Sequence, residues 1–568
     1  MSGLLEVDAA AGLAVYGARS VPGAGDAVAV LVREGVPGLL VAKDPTLWGG
    51  DAEAEAKIRL GWVDTFRRSR ALVPQLEHLY DRVHGSGLTH VVLAGMGGSS
   101  LAPEVITRTL GVDLTVLDTT DPHQIRAALR DRLASTVVVV SSKSGSTVET
   151  DSHRRAFQRA FEDADLPWVG QRFVIVTDPG SPLEGLGREL GAHVMLADPE
   201  VGGRYSALTA FGLVPTALAG VDVDELLDQA EELAMSLGGA DQNPALVLGA
   251  ALGAAALAGR DKLAIAEDGT GIVGLGDWAE QLIAESTGKN RRGILPVVLD
   301  SPTAPVDGSV DVLKVTVGGS LPPGAVPGAG VTPDIAVNGP LGAQFLAWEY
   351  AVAIAGRLLG INPFDQPNVA ESKDNTKRIL DSGLPEETPA FTERAIEVYA
   401  PEHLQSERTL ESVLLALAQE AQPHGYLAVM AYLDRHADAR VAEVRPELAL
   451  ASRRPVTFGW GPRFLHSTGQ YHKGGPEHGA FLQITGAVIP AARGRSGAEP
   501  AVERPDLGGP DDLDIPGTPI TFGRLQAAQA AGDRQALASR GRPVVRLHLA
   551  DRAAGITQLI DAAQAAGR

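Results

Sequence analysis

From about residue 90 the chain alternates short apolar runs with amphipathic stretches, and that rhythm leaves few folds open. The runs at 91–94, 114–117, 137–140, 173–176 and 193–196 are largely β-branched and bounded by Gly, Asp or Ser. Strands this apolar belong to parallel sheets covered by helices on both faces, and the stretches between them are long enough for crossover helices. After Gly220 a second series begins, with a predicted helix at 223–237, an Ala-rich helix near 245–259 and strand-like runs at 312–317, 427–432 and 456–459. The fold class is read as α/β: two tandem doubly wound parallel-sheet domains with a C-terminal α/β extension. The expected divisions are 1–69 as an N-terminal segment, 70–222 and 223–490 as the two domains, and 491–519, rich in Gly, Pro, Arg and Asp, as a linker or surface loop. The extension, 520–568, reads as a helix from about Phe522, a strand at 544–549 and a final helix. At 568 residues, 44% of them apolar, the chain can bury cores of this size.

A net charge of −21 and a pI near 5.1 oppose nucleic acid or an anionic membrane as a partner, because both require a positive surface to displace counterions. An anionic small molecule stays open, since backbone N–H groups, hydroxyls and one or two local cations suffice to hold it. There is no cysteine, which removes disulfides, thiolate nucleophiles and cysteine metal sites. Glu6 and Asp8 stand where a secretory signal would have its basic start and apolar run, so a cytoplasmic chain is expected. The apolar run of about 15 residues at 245–259 is too short to span a bilayer and reads as a buried helix.

Four segments carry chemistry. The run 91–94 leads into Gly95-Met96-Gly97-Gly98-Ser99-Ser100, where small residues at a strand-to-helix turn let N–H groups approach an anion. Gly95, Gly97 and Ser100 also stand at a degenerate dinucleotide spacing, with Asp118 about 20 residues on, and a purely structural glycine turn is a third reading. The run 137–140 leads into Ser141-Ser142-Lys143-Ser144-Gly145-Ser146-Thr147, ahead of a helix containing Glu149. A dinucleotide fold has no need of so many hydroxyls, whereas a phosphate monoester has several oxygens to satisfy; the bland alternative is a polar loop with a Ser or Thr cap. Gly202-Gly203-Arg204-Tyr205-Ser206 puts an arginine behind two glycines, where a ligand's developing negative charge could meet it. In 278–289, Gln281 and Glu285 share a helix face, and Glu285 is open to pairing with Lys289.

Together these segments resemble those of the phosphoglucose isomerase family, over most of residues 90–490. The Gly95–Ser100 stretch is similar to the family's first phosphate loop, 141–150 to its serine-threonine phosphate loop, 202–206 to its arginine signature and 281–290 to the helix with the catalytic glutamate. Residues 362–373, with Phe364-Asp365-Gln366 and Lys373, resemble its FDQ-x6-K signature. The tail, in Thr521-Phe522-Gly523 and Ala527-Ala528-Gln529, resembles the isomerase half of transaldolase-isomerase fusions; about 70 residues precede the first domain, so no transaldolase half is expected. In the family's common form the histidine motif precedes FDQ-x6-K, whereas here its best match, Ser467-Thr468-Gly469-Gln470-Tyr471-His472, comes about 100 residues after it. His472 follows the Thr-Gly-Gln pattern with one extra residue, and His466 competes with it.

The resemblance implies two sugar isomerase (SIS) domains and the interconversion of glucose 6-phosphate and fructose 6-phosphate through an enediolate, with no cofactor and no metal. It gives Glu285 as the base, Arg204 as the group facing the enediolate, and Lys373 with His472 as the ring-opening pair. Gln281 and Gln366 would line the sugar, and Gly98, Ser99, Ser142, Lys143, Ser144 and Thr147 would hold the phosphate. It also implies a homodimer in which the histidine comes from the partner chain. A bifunctional phosphoglucose/phosphomannose isomerase would use the same constellation. A non-catalytic sugar-phosphate sensor would need the phosphate loops but not Glu285, Arg204 or Lys373, and an aminosugar-phosphate isomerase would bring an amidotransferase domain for which no segment is found.

Overall fold

The computed structural model describes residues 7–306, 310–322, 332–488 and 512–567, and their strands form three sheets. The first is wholly parallel, in the order Thr115–Leu117, His90–Gly95, Thr136–Ser141, Phe173–Thr177, His193–Leu196. Its three central strands are buried along their whole length. Val91, Leu93, Val137 and Val139 enter one core while Val92, Ala94, Val138 and Val140 enter another with Phe157 and Phe161, which is why these strands read as unbroken apolar runs. The strand order reverses between His90–Gly95 and Thr136–Ser141. At such a switch point the loops leaving the two strands diverge and open a crevice at the carboxyl edge. Those loops are the glycine and serine segments.

The second sheet aligns Leu295–Leu299, Lys262–Glu267, Val312–Gly318 and Ile335–Asn338 in parallel. The hairpin Val7–Ala10 and Leu13–Tyr16 adds to it antiparallel, through Leu13–Tyr16 on Ile335–Asn338. The expected N-terminal segment is thus in part the edge of this sheet. The third sheet aligns Val456–Trp460, Tyr426–Tyr432, Gly479–Gly486 and Val544–Leu549 in parallel, with Ile396–Tyr399 and Phe391–Glu393 antiparallel at its far edge.

Residues 223–490, expected as one domain, therefore supply two sheets. The C-terminal strand is no appendage: it bonds Gly479–Gly486 on one side and Ile396–Tyr399 on the other, satisfying both rows of its backbone groups. Within the expected linker, 491–511 lie outside the described residues, and Ile515 is buried against Ile125, Ala156 and Phe522.

Apolar packing joins the second and third sheets, with Met430, Tyr432 and Phe481 meeting Ala264, Ala266, Leu295 and Val297. A buried Arg552 ties the third unit to the first, donating to Asp121 at 2.9 Å and to Asp438 at 2.9 Å. The 245–259 run forms the buried helix Pro244–Leu257, and no helix among the described residues is long and apolar enough to cross a membrane.

Candidate active site

Two glycines set how closely the three units meet. A Cβ on Gly98 would lie 2.0 Å from the carbonyl oxygen of Gly203, so this position admits no side chain where the glycine loop meets the arginine turn Gly203–Tyr205. At Gly97, whose φ is +54°, a Cβ would lie 2.7 Å from Gln281 Nε2 and 2.9 Å from the carbonyl oxygen of His466. Elements from all three sheets therefore converge at the switch-point crevice.

On the crevice's other side, Ser142 Oγ and Thr147 Oγ1 are 2.9 Å apart, and Ser144 Oγ and Ser146 Oγ 3.0 Å. Thr147 stands at the N-cap of helix Val148–Asp163 but bonds Ser142 rather than capping the helix, which leaves a positive helix end facing the loop. Ser99 is buried in the turn Gly97–Ser99. Lys143 departs from the expectation of a phosphate ligand: its ammonium donates to Asp178 at 2.6 Å and to the carbonyl of Pro199 at 3.4 Å, so its charge is compensated within the protein. Asp118, which a dinucleotide reading gives to a ribose, is buried and paired with Arg463 at 3.0 Å.

Glu285 is buried near the end of helix Leu275–Thr287, its Oε2 3.3 Å from Arg204 Nη1 and 3.4 Å from Gln281 Nε2. Burial pushes its carboxyl above the usual range, against the opposing pull of Arg204 and then His466. Lys289 acts on it more weakly, because its ammonium is bonded to another segment. The Lys289 ammonium donates to the carbonyls of Asn362 and Asp365, both at 2.6 Å, and to Asp365 Oδ1 at 2.7 Å; burial pulls it down to about 7. Arg204 grips the same segment, donating to Gln366 Oε1 at 2.6 Å and to the carbonyls of Pro363 and Asp365 at 2.7 and 2.9 Å, while its Nε bonds Ser286 at 3.0 Å. Arg204, Gln281, Glu285 and Gln366 thus form one cluster. Lys373, exposed on helix Val369–Ser382, lies near enough to Glu149 to help hold that carboxylate down.

The two histidines separate. His472 is buried among Tyr426, Phe464 and Phe481, neither ring nitrogen has a partner among the described residues, and burial holds it neutral, well below the usual imidazole range. It belongs to the third sheet's core and is not part of the cluster. His466, at the end of the turn Arg463–His466, puts Nε2 3.2 Å from Glu149 Oε1 and acts electrostatically on Glu285. Burial pushes Glu149 up, but His466 first, and Lys373 further out, hold it at about 2, so it is ionised. Gln529 Nε2 donates to the same Oε1 at 2.7 Å, and its own Oε1 accepts from Thr120 at 2.7 Å. Sequence reasoning gives Glu149 no role, although it stands two places after Thr147 in the 141–150 stretch. A carboxylate so held can orient an imidazole.

Residues 76–306 match the family described as phosphoglucose isomerase. A protein of Haloarcula marismortui named probable glucose-6-phosphate isomerase is 30% identical over 356 residues, 54% of this chain and 81% of the relative. The chain belongs to the phosphoglucose isomerase family. A second family relative of the same name, from Natronomonas pharaonis, is 30% identical and covered over 85% of its length. Among solved structures, a glucose-6-phosphate isomerase of Chlamydia trachomatis aligns with a TM-score of 0.52 at 18% identity, covering 67% of this chain and 91% of that one, which is a likeness of fold. The family match at 76–306 includes the glycine loop, the serine loop, Arg204 and Glu285, whereas Lys373 and His466 lie beyond it; His466 bonds Glu149 and both act electrostatically on that carboxylate.

Proposed function

We infer that this phosphoglucose isomerase family member interconverts glucose 6-phosphate and fructose 6-phosphate by proton transfer between C1 and C2 of the open-chain sugar. The observation that carries this reading is the pairing of two differently tuned carboxylates at one crevice: Glu285, raised by burial, and Glu149, held at about 2 under His466. Carboxylates whose environments push their pKa values apart take different roles, here Glu285 as the base and Glu149 as the carboxylate that orients His466.

Glu285 takes the C2 proton and returns it at C1. Its elevated pKa brings it towards the value at which a base works well near neutrality. Arg204 faces the enediolate oxygens; already fixed by Ser286, Pro363 and Asp365, it needs no reorganisation as charge develops. His466, oriented by Glu149, opens the ring together with Lys373. Ser142, Ser144, Thr147 and the Gly98–Ser99 turn hold the phosphate, while Gln281 and Gln366 line the sugar. A binding protein that only senses sugar phosphates would have no use for a buried Glu285 beside Arg204.

His466 meets Glu149 within one chain, so the proposed site does not require a histidine from a partner, as the resemblance had implied. A cytoplasmic homodimer remains the proposed assembly, as the commonest closed form; sedimentation showing a single 59 kDa species would reject it. The activity is tested by supplying fructose 6-phosphate and following glucose 6-phosphate with a coupled dehydrogenase. Turnover is expected, and its absence at micromolar enzyme would overturn the reading.

A further inference from the structure

We propose that Arg463 is a positioning residue for the isomerase reaction, holding the turn that carries His466 so that the imidazole stays on Glu149. The proposal rests on the functional reading above. Arg463 and His466 are the first and last residues of a single 3-10 turn, so a restraint on one is a restraint on the other. The Arg463 guanidinium reaches outward from that turn. Its Nη1 lies 2.6 Å from Glu104 Oε2 and 3.0 Å from Asp118 Oδ2, and its Nη2 lies 3.8 Å from Asp277 Oδ2.

Those acids come from the elements that bear the site. Glu104 is on helix Leu101–Leu110, directly after the glycine loop, Asp118 follows strand Thr115–Leu117, and Asp277 is on the helix that presents Glu285. Just beyond the turn, Ser467 Oγ donates to Glu280 Oε1 on that helix at 3.1 Å. Arg435 pairs with the second oxygen of Glu104 at 2.9 Å, so this carboxylate cannot swing away from Arg463 without losing a second cation. Burial pushes the Glu104 carboxyl up, but Arg463 and Arg435 outweigh it and hold it well below the usual range. The turn has no side-chain cap of its own. A planar, delocalised guanidinium can face several acids at once, whereas a lysine ammonium offers one point charge. A misplacement of about 1 Å at a reacting group costs on the order of 100-fold in rate.

Arg463→Gln tests this in the full chain. The expected result is a kcat at least about tenfold below the parent with KM within about twofold, and a parallel loss of enzyme-catalysed sugar anomerisation measured by NMR. Arg463→Lys should recover part of both. An Arg463→Gln protein that is folded at the assay temperature and keeps kcat within about twofold would overturn the proposal, as would a loss fully explained by the unfolded fraction. If Arg463→Gln does not fold, the double variant Glu104→Gln, Asp118→Asn removes the acceptors instead. The same kcat loss supports the proposal, and a kcat within about twofold of the parent overturns it. Inactivity of the parent itself would count against the functional reading rather than against Arg463.

Discussion

Six positions separate His466 from His472, and different surroundings give them different chemistry. An imidazole 3.2 Å from an ionised carboxylate can carry a proton to and fro; one sealed among three aromatic rings cannot. His466→Ala should therefore lower kcat by about 100- to 10,000-fold, the range of general acid-base catalysis. His472→Phe should leave kcat within about twofold and the melting temperature equal or higher, because an apolar ring of similar shape replaces ring nitrogens that have no partner among the described residues. Steady-state kinetics and thermal unfolding of both variants check this, and the reverse pattern would restore the Thr-Gly-Gln alignment that pointed to His472. Sequence spacing could not separate the two, because the deciding quantity is burial in a sheet formed by strands far apart in the chain.

At the scale of elements, the serine loop and the glutamate helix were both legible. Strand Thr136–Ser141 reads as an apolar run stopped by hydroxyls, and helix Leu275–Thr287 shows Gln281 and Glu285 one turn apart, ended by Gly288. What the loop's residues do was only partly legible: Lys143 looks like a phosphate ligand until Asp178, on a neighbouring strand's exit, claims it. The hydroxyls remain as the proposed phosphate ligands. Ser144→Ala with Thr147→Ala should raise KM more than it lowers kcat, since hydrogen bonds to a charged group contribute about 1.5 to 3 kcal/mol each, net of exchange with water. An unchanged KM for fructose 6-phosphate would place the phosphate elsewhere.

For the whole molecule, the α/β class and the five strands of the first sheet could be read from the alternation of apolar runs and amphipathic stretches, yet the division into three sheets could not. Runs such as 312–317 and 427–432 look alike as sequence, and only pairing assigns the first to Lys262–Glu267 and the second to Gly479–Gly486. Strands Leu13–Tyr16 and Ile396–Tyr399 stand outside the run of alternating strands and crossover helices that marks the first sheet, and both lie on the antiparallel side of a mixed sheet. His466, on the turn that follows the third sheet's strand Val456–Trp460, meets Glu149 and acts electrostatically on Glu285, so the proposed site draws both of its proton-transfer groups from one chain. The central claim is that Glu285 moves the sugar's proton, and Glu285→Gln in deuterated water tests it most directly. The parent should place deuterium at C2 of the glucose 6-phosphate formed from fructose 6-phosphate. The variant should lose that exchange and about 100- to 10,000-fold in kcat, while still accelerating anomerisation through His466 and Lys373. Undiminished isomerisation with C2 labelling in Glu285→Gln would contradict the account.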